Sequence, residues 1–125
     1  MSEKIRLAIP TNGTGGLDAT RSAHFGHADS FTLVDIDSGE IAGTDVMVNP
    51  PHGHGGCGTI VAQLSQVGVR TAIVVGMGQG PLRAMQAHGM SALFDDVSQT
   101  PRAAAAAYLT GGLPAFGGDH VCRGH

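Results

Sequence analysis

The sequence has 125 residues and a mass of 12.7 kDa, the size of one domain, and a hydrophobic fraction of 42% with a mean hydropathy of +0.08 argues against a disordered chain. Gly contributes 20 residues while Trp is absent, about twice the average Gly share, so the excess belongs to loops that need unusual backbone angles or close ligand approach. A net charge of -3 and a pI near 6.1 argue against a broad nucleic-acid or anionic-membrane surface. The start Met1-Ser2-Glu3-Lys4 lacks the apolar stretch of a secretory signal. Apolar runs such as Ala103–Leu109 fall far short of the roughly 20 residues of a membrane span. Two Cys make no disulfide framework. These features predict a soluble cytoplasmic protein.

Ile5, Leu7 and Ile9 alternate with Lys4, Arg6 and Ala8, which predicts a first strand ended by Pro10. The loop 11–29 follows, with Gly13, Gly15 and Gly16. Runs 30–35 and 41–48 are β-rich and joined by Asp37-Ser38-Gly39-Glu40, a hairpin turn. After the Gly-rich loop 49–58 a helix carries Ile60, Val61, Leu64 and Val67 on one face, closed by Gly68. Residues 69–75 form the apolar run of a central strand. Pro81 suits the first position of a second helix that ends at Gly89, and 90–94 is a fifth strand. Thr100-Pro101 caps a last helix, Arg102–Leu109, stopped by Gly111-Gly112.

The order βββαβαβα, with tight turns first and right-handed crossovers after, predicts an α/β fold. It is a ribonuclease-H-like five-stranded mixed sheet with one antiparallel strand and helices on its faces. Residues 1–112 form the domain and 113–125 a tail. Strands one, three, four and five then end on the same edge, where loops 11–29, 49–57, 76–80 and 95–98 converge. Open α/β sheets bind ligands at that carboxyl edge.

Four constellations carry chemistry. His52-x-His54-x-x-Cys57 places three soft or borderline donors within six residues, suited to zinc, copper or iron–sulfur species. Cys57 also falls near a helix N-terminus, which stabilises a thiolate. The tail His120-x-Cys122-x-x-His125 repeats that composition, although the last helix runs away from the ligand edge and the tail would have to return. Gly76-Met77-Gly78-Gln79-Gly80-Pro81 lets backbone N–H groups approach an anion. It follows the fourth strand and lacks the third Gly of a dinucleotide fingerprint. Arg21-Ser22-Ala23-His24-Phe25-Gly26-His27 offers a cation and two imidazoles, or else a loop anchored in the core by Phe25. The first strand has no carboxylate core for two-metal nuclease chemistry. No G-x-S-x-G, Walker loop or H-E-x-x-H is present, and Asp95-Asp96 reads as a solvated turn.

Residues Ile5–Pro10, His24-Phe25-Gly26-His27-Ala28-Asp29-Ser30-Phe31 and Val74–Pro81 together resemble the dinitrogenase iron–molybdenum cofactor biosynthesis family, most of all its orange-protein branch, over roughly residues 4–112. Many members carry Arg or Lys where this chain has His27. The Gly-rich start of the first helix here holds His52, His54 and Cys57. The resemblance implies a non-catalytic protein that holds a preformed metal–sulfur cluster, a molybdenum–copper sulfide bound noncovalently, and that exchanges it with a protein partner. On that basis Arg21, His24, Gly26, His27, Gly76, Met77, Gly78 and Gly80 would face the cluster. Arg21 and the N–H groups near Gly78 and Gly80 would offset its charge, and Met77 would supply a soft wall. His52, His54 and Cys57, with His120, Cys122 and His125, would take metal. An iron–molybdenum cofactor carrier and a simple copper or zinc binding module remain alternatives.

Overall fold

The computed structural model describes residues 4–25, 28–49 and 56–116, with side chains from residue 60 onward in the last stretch. In chain order the elements are β1 (Lys4–Thr11), β2 (Ser30–Asp37), β3 (Glu40–Val48), α1 (Gly56–Gln66), β4 (Thr71–Val74), α2 (Gln79–Ala87), β5 (Ser91–Phe94) and α3 (Pro101–Thr110). The strands form one sheet in the order β3-β2-β1-β4-β5. β2 is antiparallel to β1 and to β3, whereas β4 is parallel to β1 and to β5. This is the predicted ribonuclease-H-like α/β arrangement. Among the described residues no helix is long and apolar enough to cross a membrane.

Alternation along the strands divides the interior in two. Ala8, Phe31, Leu33, Ala72 and Val74 face one side, where α1 and α2 close a core over them with Val61, Leu64 and Met85. Leu7, Ile9, Val34, Ile36 and Ile73 face the other, covered by Ala104 and Ala105 of α3. The central strands β1 and β4 are apolar at successive positions because both of their faces are covered. The small Ala side chains of α3 let that helix lie close to the sheet.

Several boundaries differ from the sequence expectation. β1 does not stop at Pro10: it runs on to Thr11, with Pro10 opposite Phe31. The β4 pairing covers only Leu7 and Ala8. The Pro10 carbonyl beyond it accepts from Ser22 N–H at 2.9 Å, so the missing proline N–H lies on the side where the β1–β4 pairing has already ended. Val67 falls past the end of α1 and is exposed, while Gly68 takes φ +90° to turn the chain. α2 starts two residues earlier than expected, which makes Pro81 its third residue. That position too has no intrahelical acceptor for an N–H, so proline is tolerated. Ser38 and Gly39 both take positive φ (54° and 82°), the geometry of a two-residue hairpin turn that follows the sheet's twist.

The domain also extends past residue 112. Phe94 N–H donates to Pro114 O and Phe116 N–H to Ala92 O, each at 2.8 Å. Residues 114–116 thereby pair antiparallel along β5 and cover its outer edge. Phe116 is buried, its ring 6.3 Å from that of Phe94. Burying such a ring contributes about 2 kcal/mol, enough to hold this short return.

Above β1 and β2 the loop from Asn12 rests on three buried hydroxyls. Thr11 Oγ1 lies 2.7 Å from Ser30 Oγ and 3.1 Å from Thr32 Oγ1. Ser30 Oγ donates to Gly13 O, and Gly16 N–H donates to Thr32 Oγ1. Gly15 lies against them at φ +77°, where an added Cβ would come within 3.0 Å of both Ser30 Oγ and Thr32 Oγ1. Gly15→Ala therefore combines left-handed strain with overpacking and should cost about 2–4 kcal/mol. Gly13→Ala, at φ +66° with open space around it, should cost only about 1–2 kcal/mol. Urea midpoints of the two variants check this ranking.

Candidate functional site

β1, β3, β4 and β5 point the same way, so their carboxyl ends share one edge of the sheet. α1 and α2 begin at that edge and pack side by side on the same face. Each helix start carries roughly half a positive charge and N–H groups without intrahelical acceptors. Neither first turn contains an acidic residue. α2 has no side-chain cap: its N-cap is Gly78, in extended conformation at φ -78° and ψ 178°. An added Cβ on Gly80 would meet nothing within 4 Å, and one on Gly78 would meet only Pro81 Cδ, at 4.0 Å. The backbone here is open to a neighbour of some size.

The start of α3 differs. Its first residue is Pro101, Arg102 N–H donates to Leu17 O, and Ala103 N–H donates to the Thr100 side chain. Its N–H groups are already used by the protein. A cavity of about 300 Å³ beside it is lined by Thr20, Arg21, Val75 and Ser98 among others. The α1–α2 side is where the fold leaves donors available.

The floor of that side is apolar. Phe25 is buried against Phe31 at a ring distance of 5.2 Å and shares the first core with Ala28 and Met77. Met77 lies beneath the surface as part of this floor, below the exposed Gly80. His24 is exposed, and its backbone is held by Ser22 Oγ, which accepts from its N–H and donates to its carbonyl. Asn49 binds the end of β3 to this segment, its Nδ2 donating to Ala28 O at 2.6 Å and its N–H to Asp29 O. Gly26, His27, His52, His54, His120, Cys122 and His125 lie outside the described residues. The backbone of Cys57 is the second residue of α1. Among the described residues no three His, Cys, Asp or Glu side chains are grouped to hold a metal ion.

Arg21 requires a correction. It was expected to offer its charge to a ligand, but it is 7% exposed and turned inward. Its Nη1 donates to Asp95 O at 2.8 Å and Ser98 O at 2.9 Å, and its Nη2 to Ile73 O at 3.4 Å. Asp95 Oδ2 lies 3.5 Å away and balances the charge. The expected solvated turn at Asp95-Asp96 is likewise half wrong, since Asp95 is buried and only Asp96 is exposed. The reason is geometric: the Ile73 carbonyl of β4 and the Asp95 and Ser98 carbonyls after β5 meet beneath the loop that follows β1, and they need a donor that solvent cannot supply.

Sequence reasoning passed over Arg83. It lies one turn into α2, exposed, with Nη2 3.5 Å from Gln79 Oε1 at the helix start. Arg6 and Arg102 are paired with Asp35 and Asp18, and Lys4 and Arg70 lie toward the opposite ends of β1 and β4. Arg83 is thus the cation near the open helix start with no carboxylate partner among the described residues. Its spacing of four from Gln79 was the available signal, and it gains meaning only once Arg21 is seen to be spent.

Burial pulls the Arg21 guanidinium below its ordinary pKa against the charges of Asp95 and Asp96. Burial pushes the Asp95 carboxyl up. The Ser98 side chain, the N–H groups of Ser98 and Val97 and the Arg21 charge outweigh it and hold the carboxyl below its usual 3.8. A depressed folded value means that the stabilisation is complete above the unfolded value near 4 and is lost as pH falls through the folded one. Arg21→Met should cost about 3–5 kcal/mol by stranding the buried carboxylate. Asp95→Asn should remove the part of the acid destabilisation that begins below pH 4. Urea midpoints measured against pH test both.

The dinitrogenase iron-molybdenum cofactor family model matches residues 3–111. The apo orange protein of Desulfovibrio gigas is 25% identical with a TM-score of 0.77, and the match covers 94% of this chain and 98% of that one. A Thermotoga protein described as NifB-like is 26% identical with a TM-score of 0.72, over 89% and 92% of the two chains. A dinitrogenase-like protein of Methanocaldococcus jannaschii shares the fold at a TM-score of 0.73 and 14% identity, over 91% and 96%. No curated protein sequence matches. With the family model spanning nearly all of the α/β domain, the chain belongs to the dinitrogenase iron-molybdenum cofactor family.

Proposed function

We propose that the protein binds and carries an anionic metal–sulfur cluster, a molybdenum–copper sulfide, at the starts of α1 and α2, and releases it to a partner protein without chemical change. The observation that supports this most directly is the uncapped, Gly-lined start of α2 beside that of α1, in a chain of this family. A thiomolybdate core is negatively charged and large, and it suits backbone donors over an apolar floor. Arg83, rather than Arg21, is the side-chain cation that meets it.

Magnitudes decide what else is required. Each helix start contributes about 0.3–1 kcal/mol to an exposed anion, and a surface cation about as much. Their sum is far below the roughly 8 kcal/mol of a micromolar complex. Soft coordination must supply the rest. His52, His54 and Cys57 at the entrance to α1 are the donors for copper, and a thiolate there gains from the helix start. The tail donors His120, Cys122 and His125 would add a second capture point.

The second reading is a carrier of the iron–molybdenum cofactor itself, favoured by the family description and the NifB-like Thermotoga relative. Anaerobic titration of apo-protein with tetrathiomolybdate, with and without Cu(I), followed by desalting and metal analysis, separates the two. Coloured molybdenum retained only with copper is the expected result. Retention of iron–molybdenum cofactor but not of the copper–molybdenum species would shift the assignment to the second reading. Copper or zinc alone in the protein fraction would reduce the protein to a metal-ion module. Arg83→Gln should weaken cluster retention about two- to fivefold, more at low salt. Cys57→Ser combined with His52→Ala and His54→Ala should abolish the dependence on copper. Unchanged retention in that triple variant would sink the soft-donor part.

A further inference from the structure

Asn12 and Gly13 follow β1 directly, and both are exposed. In an Asn-Gly pair the Gly nitrogen can reach the Asn side-chain carbonyl carbon without a Cβ in the way. The sequence contains one other Asn, Asn49, and it precedes Pro50, which has no N–H to react. Gly13 N–H donates to Asp29 Oδ2 at 2.7 Å. The Asn12 N–H donates to Thr20 O at 2.9 Å, and its carboxamide Nδ2 leans toward Arg21 O at 3.5 Å. We propose that Asn12-Gly13 is a deamidation site that the fold keeps latent, with Asp29 as its guard.

The chemistry is closed with water as the only co-reactant. Gly13 N loses its proton and attacks Asn12 Cγ. The N–Cγ bond forms, the Cγ–Nδ2 bond breaks, and Nδ2 leaves as ammonia after taking a proton from solvent. Water then opens the succinimide ring at either carbonyl, which leaves aspartate or isoaspartate at position 12. No group is oxidised or reduced.

Asp29 opposes the first step twice. Its hydrogen bond must break before Gly13 N can turn toward Asn12 Cγ, and its negative charge disfavours the amide anion. Completion of the reaction would place a new carboxylate at the carboxyl edge. The isoaspartate product would also lengthen the backbone by one methylene, next to the Asn12–Thr20 hydrogen bond and the Thr11–Arg21 bridge. That change would loosen the loop whether or not the edge carries a cluster.

The test incubates the full chain at neutral pH beside a synthetic peptide spanning residues 10–16 and the variant Asp29→Ala. Peptide mapping by mass spectrometry reads conversion at position 12, and an isoaspartyl methyltransferase assay reads isoaspartate. The folded chain should convert about tenfold or more slowly than the peptide, and Asp29→Ala should recover most of that difference. Asp29→Asn keeps an acceptor oxygen but not the charge, and should fall between; it also serves if Asp29→Ala does not fold. A wild-type rate equal to the peptide's, or both variants as slow as wild type, would overturn the proposal.

Discussion

The carboxyl edge of this sheet depends on one buried ion pair. Arg21 leaves the long loop after β1 and reaches the carbonyls of Asp95, Ser98 and Ile73, while Asp95 caps the N–H groups of Val97 and Ser98. One guanidinium thereby ties the loop after β1 to strand β4 and to the segment that follows β5. A buried pair of this kind contributes little net stability compared with an apolar substitute of the same shape. Its role is to fix geometry, since a misplaced loop would leave a charge and several carbonyls unsatisfied. The edge is well defined because its errors are expensive.

That fixed edge has two unlike sides. On the α3 side the helix start is closed by Pro101, the Leu17 carbonyl and the Thr100 side chain. On the α1–α2 side a Gly-rich turn leaves the start of α2 without a cap, over a floor made by Phe25, Phe31 and Met77. The loop after β1 lies on the α3 side and is supported there by the Thr11, Ser30 and Thr32 hydroxyls. A packed apolar floor beneath an uncapped helix start suits a binding site, because an anion there finds donors already ordered.

Much of the fold was legible because hydrophobic alternation and turn chemistry act locally. The hairpin at Ser38-Gly39, the cap at Thr100-Pro101 and the double-sided apolar strand 71–74 each follow from a few adjacent residues. Pro10 and Val67 were misplaced because their environments are set from a distance. The β1–β4 pairing stops before Pro10 and so requires no N–H from it, and α1 stops one residue before Val67. The packing of residues 113–116 on β5 was illegible for the same reason: nothing in Leu113-Pro114-Ala115-Phe116 announces an uncovered strand edge elsewhere in the chain.

The sequence by itself determined the α/β order, the direction of each strand, the convergence of Gly-rich loops on one edge and the family likeness, because these follow from periodicity, chain connectivity and handedness. Only the tertiary structure decided which cation serves the protein and which faces outward. Arg21 and Arg83 are equivalent in a sequence. A side chain's charge is available to a ligand only if no nearer partner claims it, and the partners of Arg21 come from residues 52 to 77 positions further along the chain.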